Sequence, residues 1–390
     1  AEADRRWRGW PVYAAGLALF VCALLSKTAT SLLPVALLLV VWWKRGRVDR
    51  RSLLEVAPLA VVGVAFVLMT VYLESSHGGA QGAVFSQTWL ERVLIAGRAL
   101  WFYAGKLAWP AELVFIYPRW TIDVSSWWQY LYPLAAVSVI GLLWGIQDRV
   151  GRGPAAAVLF FAAAVVPISL VNVAFTRLSY VSDHWQYWAS MGLIALAVGA
   201  LTAGWMRWRP SWAPRGTGVL ASVLVLVVLS GLTWRRAAVY EGPVALWGDT
   251  VARNPGSRAA RYSLGTALQH ERRYDEAITQ FAAALAIEPD DPLSHNNMGI
   301  ALREQGRLDE AIEHYRAAIR VAPGFAKAHT NLGDALQAQG RIEDAIRHYE
   351  LALRARPGFP GAHFNLGVAL RTLGRIDEAI HHYEIVLALA

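Results

Sequence analysis

Long apolar runs separated by short polar loops fill the first 234 residues, and the pattern then changes. The runs fall at about 10–26, 29–43, 53–73, 128–147, 155–175, 185–206 and 217–234. A helix crossing the hydrocarbon layer needs roughly 20 apolar residues, so the pattern predicts about seven spans. The second run is short, which suits a tilted or buried helix. Trp7, Trp10, Trp42, Trp43, Trp127, Trp128, Trp185, Trp188, Trp205 and Trp208 sit at run ends, where amphipathic rings favour the headgroup layer. Segment 91–109, ERVLIAGRALWFYAGKLAW, carries Arg92, Arg98 and Lys106 inside an apolar pattern. Spanning would cost about 2.5–3.5 kcal/mol per central charge, so this segment predicts an interfacial helix.

From Arg258 the pattern becomes pairs of short amphipathic helices with a period of 34 residues. Gly265, Gly299, Gly333 and Gly367 mark it, as do Ala277, Ala311, Ala345 and Ala379. Phe281, Tyr315, Tyr349 and Tyr383 follow, then Pro289, Pro323 and Pro357. A small residue at the crossing, an aromatic on the second helix and a proline at its end resemble the tetratricopeptide repeat, TPR. A half-repeat precedes, with Trp247 at the aromatic place and Pro255 at the proline place. The expected organisation is all-α: a polytopic transmembrane helical domain over 1–234, a helical linker and half-repeat over 235–257, and a solenoid over 258–390. The four repeats of the solenoid are 258–291, 292–325, 326–359 and 360–390.

Charge sharpens this division. The net charge of +8 separates into +11 over residues 1–239 and −3 over 240–390. The basic residues lie in loops between apolar runs, as membrane topology requires, rather than on one basic face, which argues against nucleic acid. The loop with Lys44, Arg45, Arg47, Arg50 and Arg51 is the most basic, so it is expected in the cytoplasm. Counting spans from it puts the repeats on the extracytoplasmic side. The single cysteine, Cys22, excludes an internal disulfide and is expected as a small buried hydrophobe.

Asn297, Asn331 and Asn365 recur at one repeat position, which Ser263 holds in the first repeat. Asparagine has low helix propensity, so its recurrence inside a helix calls for a reason. One is a ladder of amides bonding the backbone of an extended peptide in the groove, as in the O-GlcNAc transferase repeats that this stretch resembles locally. Duplication of the repeat, or an amide bonding neighbouring helix ends, are the alternatives. His295, His329 and His363 share one position, and His314, His348 and His382 another. Equivalent places in adjacent repeats lie about 10 Å apart, as packed helices do, too far to share a metal ion. They are read as consensus side chains, with no metal site.

Three segments, LLSKTATSLLPVALLLVVWW (24–43), WPAELVFIYPRWTID (109–123) and YVSDHWQYWASMGLIAL (180–196), precede the repeats. Together they resemble bacterial membrane proteins similar to the TMTC-type transmembrane-and-TPR family, whose architecture is that of GT-C glycosyltransferases. The third motif departs from the family pattern, reading Asp183-His184-Trp185-Gln186-Tyr187. The resemblance implies the bacterial inner membrane, a partial GT-C-like domain and a polyprenyl-phosphate-sugar donor, with no other cofactor identified. It implies protein glycosylation with the repeats holding the acceptor polypeptide, and a catalytic acid in a loop preceding this sequence. The alternative is a non-catalytic membrane-tethered scaffold that recruits an envelope protein. Asp183 and His184 are the candidate catalytic pair, or else a helix cap. Lys27, Arg119 and Tyr117 are candidates for lipid phosphate or sugar, Lys27 being equally a snorkelling anchor. Other extracytoplasmic acids are Glu74, Glu91, Glu112 and Asp123.

Overall fold

The computed structural model describes residues 2–26, 28–76, 87–109, 113–170, 179–181, 186–208 and 217–389. Helices and the loops between them make up the described residues, with no strand among them. The chain divides into two compact units, Ala1–Leu229 and Ser230–Ala390.

In the first unit the helices are α1 Glu2–Ser26, α2 Leu33–Arg45, α3 Arg50–Ser76, α4 Trp89–Ala108 and α5 Leu131–Gly145, then α6 Gln147–Val150, α7 Gly153–Leu170, α8 Gln186–Trp208 and α9 Thr217–Ala237. The last runs unbroken through the division at Leu229, so the change of pattern at 234 falls within a helix. The second apolar run starts as a 3-10 turn, Thr28–Leu32. Pro34 lies in the first turn of α2, where its missing N–H costs nothing.

The segment read as interfacial forms α4 and lies at the centre of this unit. Thr88 and Glu91 form a reciprocal capping box at its start: Glu91 N donates to Thr88 Oγ1 at 3.3 Å and Thr88 N to Glu91 Oε2 at 2.6 Å, satisfying two orphan donors. Leu94, Ile95, Ala96, Ala99 and Tyr103 are buried. Gly97 allows close approach to α5, since a Cβ there would meet Pro133 at 2.6 Å. Gly192 does the same between α8 and α7, against the Ala157 carbonyl at 2.6 Å. Around α4 the core gathers Val114, Tyr117, Phe161, Ala164, Val165, Val181 and Ala189.

The outside of this unit is apolar. Val12, Leu19, Val61, Leu68, Val137 and Leu201 are each more than 60 % exposed. None of the residues of α5 is buried. One helix among the described residues, over Arg50–Leu73, is long and apolar enough to cross a membrane; Pro11–Leu25, Gly153–Pro167 and Ala189–Trp205 are shorter apolar helices. Cys22 was expected inside but is exposed on α1. Phe20 and Leu24, on the other side of α1, are the residues buried against Leu59.

The second unit is a regular stack. It comprises α10 Pro243–Arg253 and four hairpins: α11 Arg258–His270 with α12 Tyr274–Ile287, α13 Pro292–Glu304 with α14 Leu308–Val321, α15 Ala326–Ala338 with α16 Ile342–Ala355, and α17 Pro360–Thr372 with α18 Ile376–Leu389. Helix α10 takes the half-repeat's place, with Trp247 packed on the Leu264, Leu268 and Phe281 cluster. Each repeat glycine faces the aromatic of its own hairpin; a Cβ at Gly265, Gly299, Gly333 or Gly367 would lie 2.5–2.7 Å from that ring. Ala277, Ala311, Ala345 and Ala379 are at most 2 % exposed at the crossings. The turn within a hairpin needs a left-handed residue. Gly306, Gly340 and Gly374 supply it at φ 75–78°, whereas the first repeat uses Arg272 at φ 59°, a conformation unfavourable for a residue with a Cβ.

Candidate functional site

The asparagine column lies on the first helices of the repeats, half-buried, as does Ser263. Its amides reach back to the preceding repeat. Asn297 Nδ2 donates to the Tyr262 hydroxyl at 3.1 Å and lies 3.4 Å from Thr266 Oγ1. Asn331 Nδ2 donates to Asn296 Oδ1 at 2.9 Å, and Asn365 Nδ2 to Asp334 Oδ1 at 2.7 Å. One amide function of each asparagine thus ties neighbouring repeats together. An amide has two N–H donors and a carbonyl acceptor with two lone pairs; Asn297 Oδ1 already accepts from Asn296 Nδ2 at 3.1 Å, so its carbonyl has one lone pair to offer a ligand, and Asn331 and Asn365 have more.

Asp334 is the most connected group on this face. It accepts from Tyr349 Oη at 2.9 Å and from Asn365, and pairs with Arg303 at 3.3 Å. Burial nevertheless pushes its carboxyl above the ordinary aspartate range, against the pull of Tyr349 and Arg303. At the equivalent place in the second repeat stands Ile300. The Tyr315 hydroxyl there is buried without a hydrogen-bond partner, and burial pushes its pKa up. Sequence reading singled out the asparagines but missed Asn296 and Asp334. The available signal was Asp334 lying one turn after Asn331, on the same helix face.

Histidine pairing was missed as well. The two histidine columns are joined within each repeat, not across repeats. His295 and His314 bring their Nδ1 atoms to 3.0 Å, His329 and His348 to 3.1 Å, and His363 and His382 to 3.0 Å. The Nε2 atoms of His295, His329 and His363 lie 2.9–3.0 Å from the carbonyls of Pro289, Pro323 and Pro357. No cluster of three or more metal-ligating side chains occurs among the described residues.

In the first unit, cations stand over aromatic rings. The Arg98 guanidinium lies 4.5 Å from the Trp120 ring centre and 5.9 Å from that of Tyr132. Arg119 lies 4.7 Å over Tyr180 and donates to its hydroxyl at 2.7 Å. Lys106 Nζ is 5.5 Å from the Tyr117 ring and 5.8 Å from Phe102. Phe102 meets Tyr117 and Trp120 edge-on, with centroids 4.9 and 5.7 Å apart. The negative ring face attracts a cation, which is how α4 carries Arg98 and Lys106 within an apolar unit, while Arg92 Nε donates to the Gln87 carbonyl at 3.2 Å. Of the candidate residues here, Tyr117 is buried and Arg119 exposed, so Tyr117 is floor and Arg119 is rim.

Two candidate acids have structural work. Glu91 caps α4. Asp123 holds a turn, accepting from Ser125 N at 2.9 Å and from the Ser125 and Ser126 hydroxyls at 2.6 Å each; the Ser125 and Ser126 bonds hold its pKa below the ordinary range. Lys27, Glu112, Asp183 and His184 lie outside the described residues, as does the side chain of Glu74.

Comparison with known proteins agrees with the repeat geometry. Tetratricopeptide-repeat families match residues 257–324, 296–360 and 330–390. No curated protein matches the chain. Among solved structures, MamA from Desulfovibrio magneticus RS-1 is 22 % identical with a TM-score of 0.36, over 42 % of this chain and 93 % of its own. Pseudomonas aeruginosa PilF is 22 % identical with a TM-score of 0.36, over 43 % and 73 %. YrrB, described as a TPR protein with an unusual peptide-binding site, is 18 % identical with a TM-score of 0.33, over 42 % and 81 %. The C-terminal unit is a TPR array.

Proposed function

We propose that this is a multi-pass membrane protein whose TPR array holds a polypeptide beside the bilayer. The observation carrying the binding half is the column Asn297, Asn331 and Asn365 on the first helices, half-exposed and fixed in orientation by the preceding repeat. Each pre-set amide can bond a peptide backbone without a fresh ordering cost. The membrane half rests on the apolar exterior of the first unit, where leucine and valine side chains stand outward on helix after helix. A soluble unit rarely exposes so much contiguous apolar surface.

Peptide-library binding to the full chain in detergent, with Asn331→Ala and Asn365→Ala, tests the first half. A loss of about tenfold or more in affinity, from two hydrogen bonds, is expected with the array still folded. Unchanged affinity would remove the asparagine column from the binding site.

A second, finer reading makes the polypeptide an acceptor and the membrane unit a GT-C-like glycosyltransferase domain of a bacterial inner membrane. What favours it is the cluster of Arg98 and Arg119 over Trp120 and Tyr180, chemistry suited to a sugar phosphate. A polyprenyl-phosphate-sugar would be the donor, with Lys27, Asp183 and His184 as further candidates for its site. The test is transfer of labelled sugar from polyprenyl-phosphate donors in proteoliposomes by the full-length protein, with the preceding loop that the resemblance implies, comparing it with its Arg119→Ala and Asp183→Ala variants. Transfer lost in both variants supports this reading; absence of transfer with peptide binding intact leaves the scaffold.

A further inference from the structure

The hydrogen bonds of the histidine pairs allow only one arrangement of protons. A proline carbonyl can only accept, so Nε2 of His295, His329 and His363 must carry the hydrogen. In a neutral imidazole Nδ1 is then an acceptor. The facing Nδ1 of His314, His348 and His382 must therefore donate, leaving Nε2 of that second ring as the basic site. A first proton is accommodated there without disturbing either bond. A second proton has only the shared contact left, where it would set N–H against N–H at about 3 Å. The closed pair is thus built for neutral or singly protonated rings.

The first repeat makes the same connections with groups that do not titrate near neutrality. Arg261 occupies the first-helix position, donating from Nε to the Pro255 carbonyl at 2.8 Å and from Nη1 to Gln280 Oε1 at 3.4 Å. The proline carbonyl accepts from the first helix in all four hairpins, while the second bond runs from Arg261 to Gln280 in the first and from the second-helix histidine to the first-helix histidine in the other three. Three of them use histidine throughout.

From this geometry we infer that the three histidine pairs are acid-labile latches closing the second, third and fourth hairpins, while the first hairpin is closed independently of pH. The inference is separate from the polypeptide-binding reading, since it concerns the joint between first and second helices and not their outer face.

Surroundings modulate the latches without removing them. Around His295 and His314 stand Glu310 and Glu313 on α14, with Asp290 and Arg320 beside His295. Around His348 stand Asp344 and Arg347 on its own helix and Arg316 on α14. Around His382 stand Glu378 and His381 on α18 and Glu350 on α16. Glu310, Asp344 and Glu378 are also engaged by Arg307, Arg341 and Arg375. Burial, then the facing histidine, lowers the pKa of His314 and His382, and brings His348 down to about 4; burial also lowers that of His329. A ring with a depressed folded pKa binds its proton first in the unfolded chain. Stability is therefore full above the ordinary value of 6.5 and falls as pH drops from there toward about 4.

Hydrogen exchange of the full chain in detergent, at pH 7.5 and pH 4.5 with times scaled for intrinsic rates, tests this. Protection in α13–α18 should fall by about tenfold or more at the lower pH, with α11–α12 unchanged relative to them. Copying the first repeat into the third, as His329→Arg with His348→Gln, should abolish the acid response of α15–α16 alone. Equal loss in all four hairpins, or an acid response that survives the exchange, would overturn the inference. Imidazole 15N shifts of the unmutated chain give a check that needs no variant. His329 must be the Nε2–H tautomer and His348 the Nδ1–H tautomer at pH 7.5; any other assignment removes the latch.

Discussion

The two units are built from the same kind of helix and place their apolar side chains oppositely. In the array, Ala277, Ala311, Phe281, Tyr315 and Tyr349 are sealed inside. Ion pairs such as Arg273–Glu276, Arg307–Glu310 and Arg375–Glu378 stand outside. In Ala1–Leu229, Val61, Leu68, Val137 and Leu201 stand outside, while Arg98 and Lys106 are half-buried against rings. The array's exposed apolar exceptions gather on α18, at Ile376, Ile380 and Leu387, whereas those of the first unit recur on helix after helix.

The largest expected effect breaks this comparison directly. Val137→Lys on α5 puts a charge on an outward face; in a bilayer it costs about 2.5–3.5 kcal/mol near the centre, read as loss of membrane-inserted protein. Leu293→Lys, at an exposed site of the array, should change stability by less than about 0.5 kcal/mol. Equal, small effects would place both surfaces in water. Next comes Gly333→Ala. Its Cβ would lie 2.5 Å from the Tyr349 ring, an overpacking that costs about 1–3 kcal/mol in denaturant unfolding. Gly141→Ala on α5 has no atom within 4 Å and should be neutral or stabilising by up to about 1 kcal/mol.

Smaller effects sharpen the contrast among repeats. Tyr349→Phe removes the bond to Asp334 and should cost about 1–2 kcal/mol, whereas Tyr315→Phe removes an unpartnered hydroxyl and should be neutral or stabilising. The difference in unfolding midpoints between these two variants decides it. Smallest is Arg272→Gly, which relieves a left-handed residue; a gain of about 0.5–1 kcal/mol is expected after the entropy of an added glycine.

Much of the fold was legible. Among the described residues the apolar runs fall in helices, although α1 starts at Glu2, eight residues before its run, and the 34-residue period matches every hairpin, because side chains repeat where the backbone repeats. What escaped depended on helix-to-helix register. The histidines were read down their columns, His295 with His329, although the constant spacing of 19 residues from His295 to His314 was visible and joins the two helices of one hairpin. The asparagines were read as facing a ligand, and their bonds to Asn296, Tyr262 and Asp334 required knowing how one first helix leans on the next. Segment 91–109 was read as interfacial from its charges; the rings of Trp120 and Tyr117 that receive those charges come from the following loop. Cys22 was placed inside because it is small and apolar, and α1 inverts this, turning Cys22 outward while burying Phe20 and Leu24.

That inversion makes Cys22 the most direct probe. It is the single cysteine and is exposed on α1. A spin label there, in the full chain reconstituted into vesicles, reports collisions with oxygen and with a water-soluble nickel chelate. High oxygen and low nickel access is the expected result, with the label in hydrocarbon. Ready access by the nickel chelate would contradict a membrane-embedded first unit and leave the TPR array as the whole of the functional account.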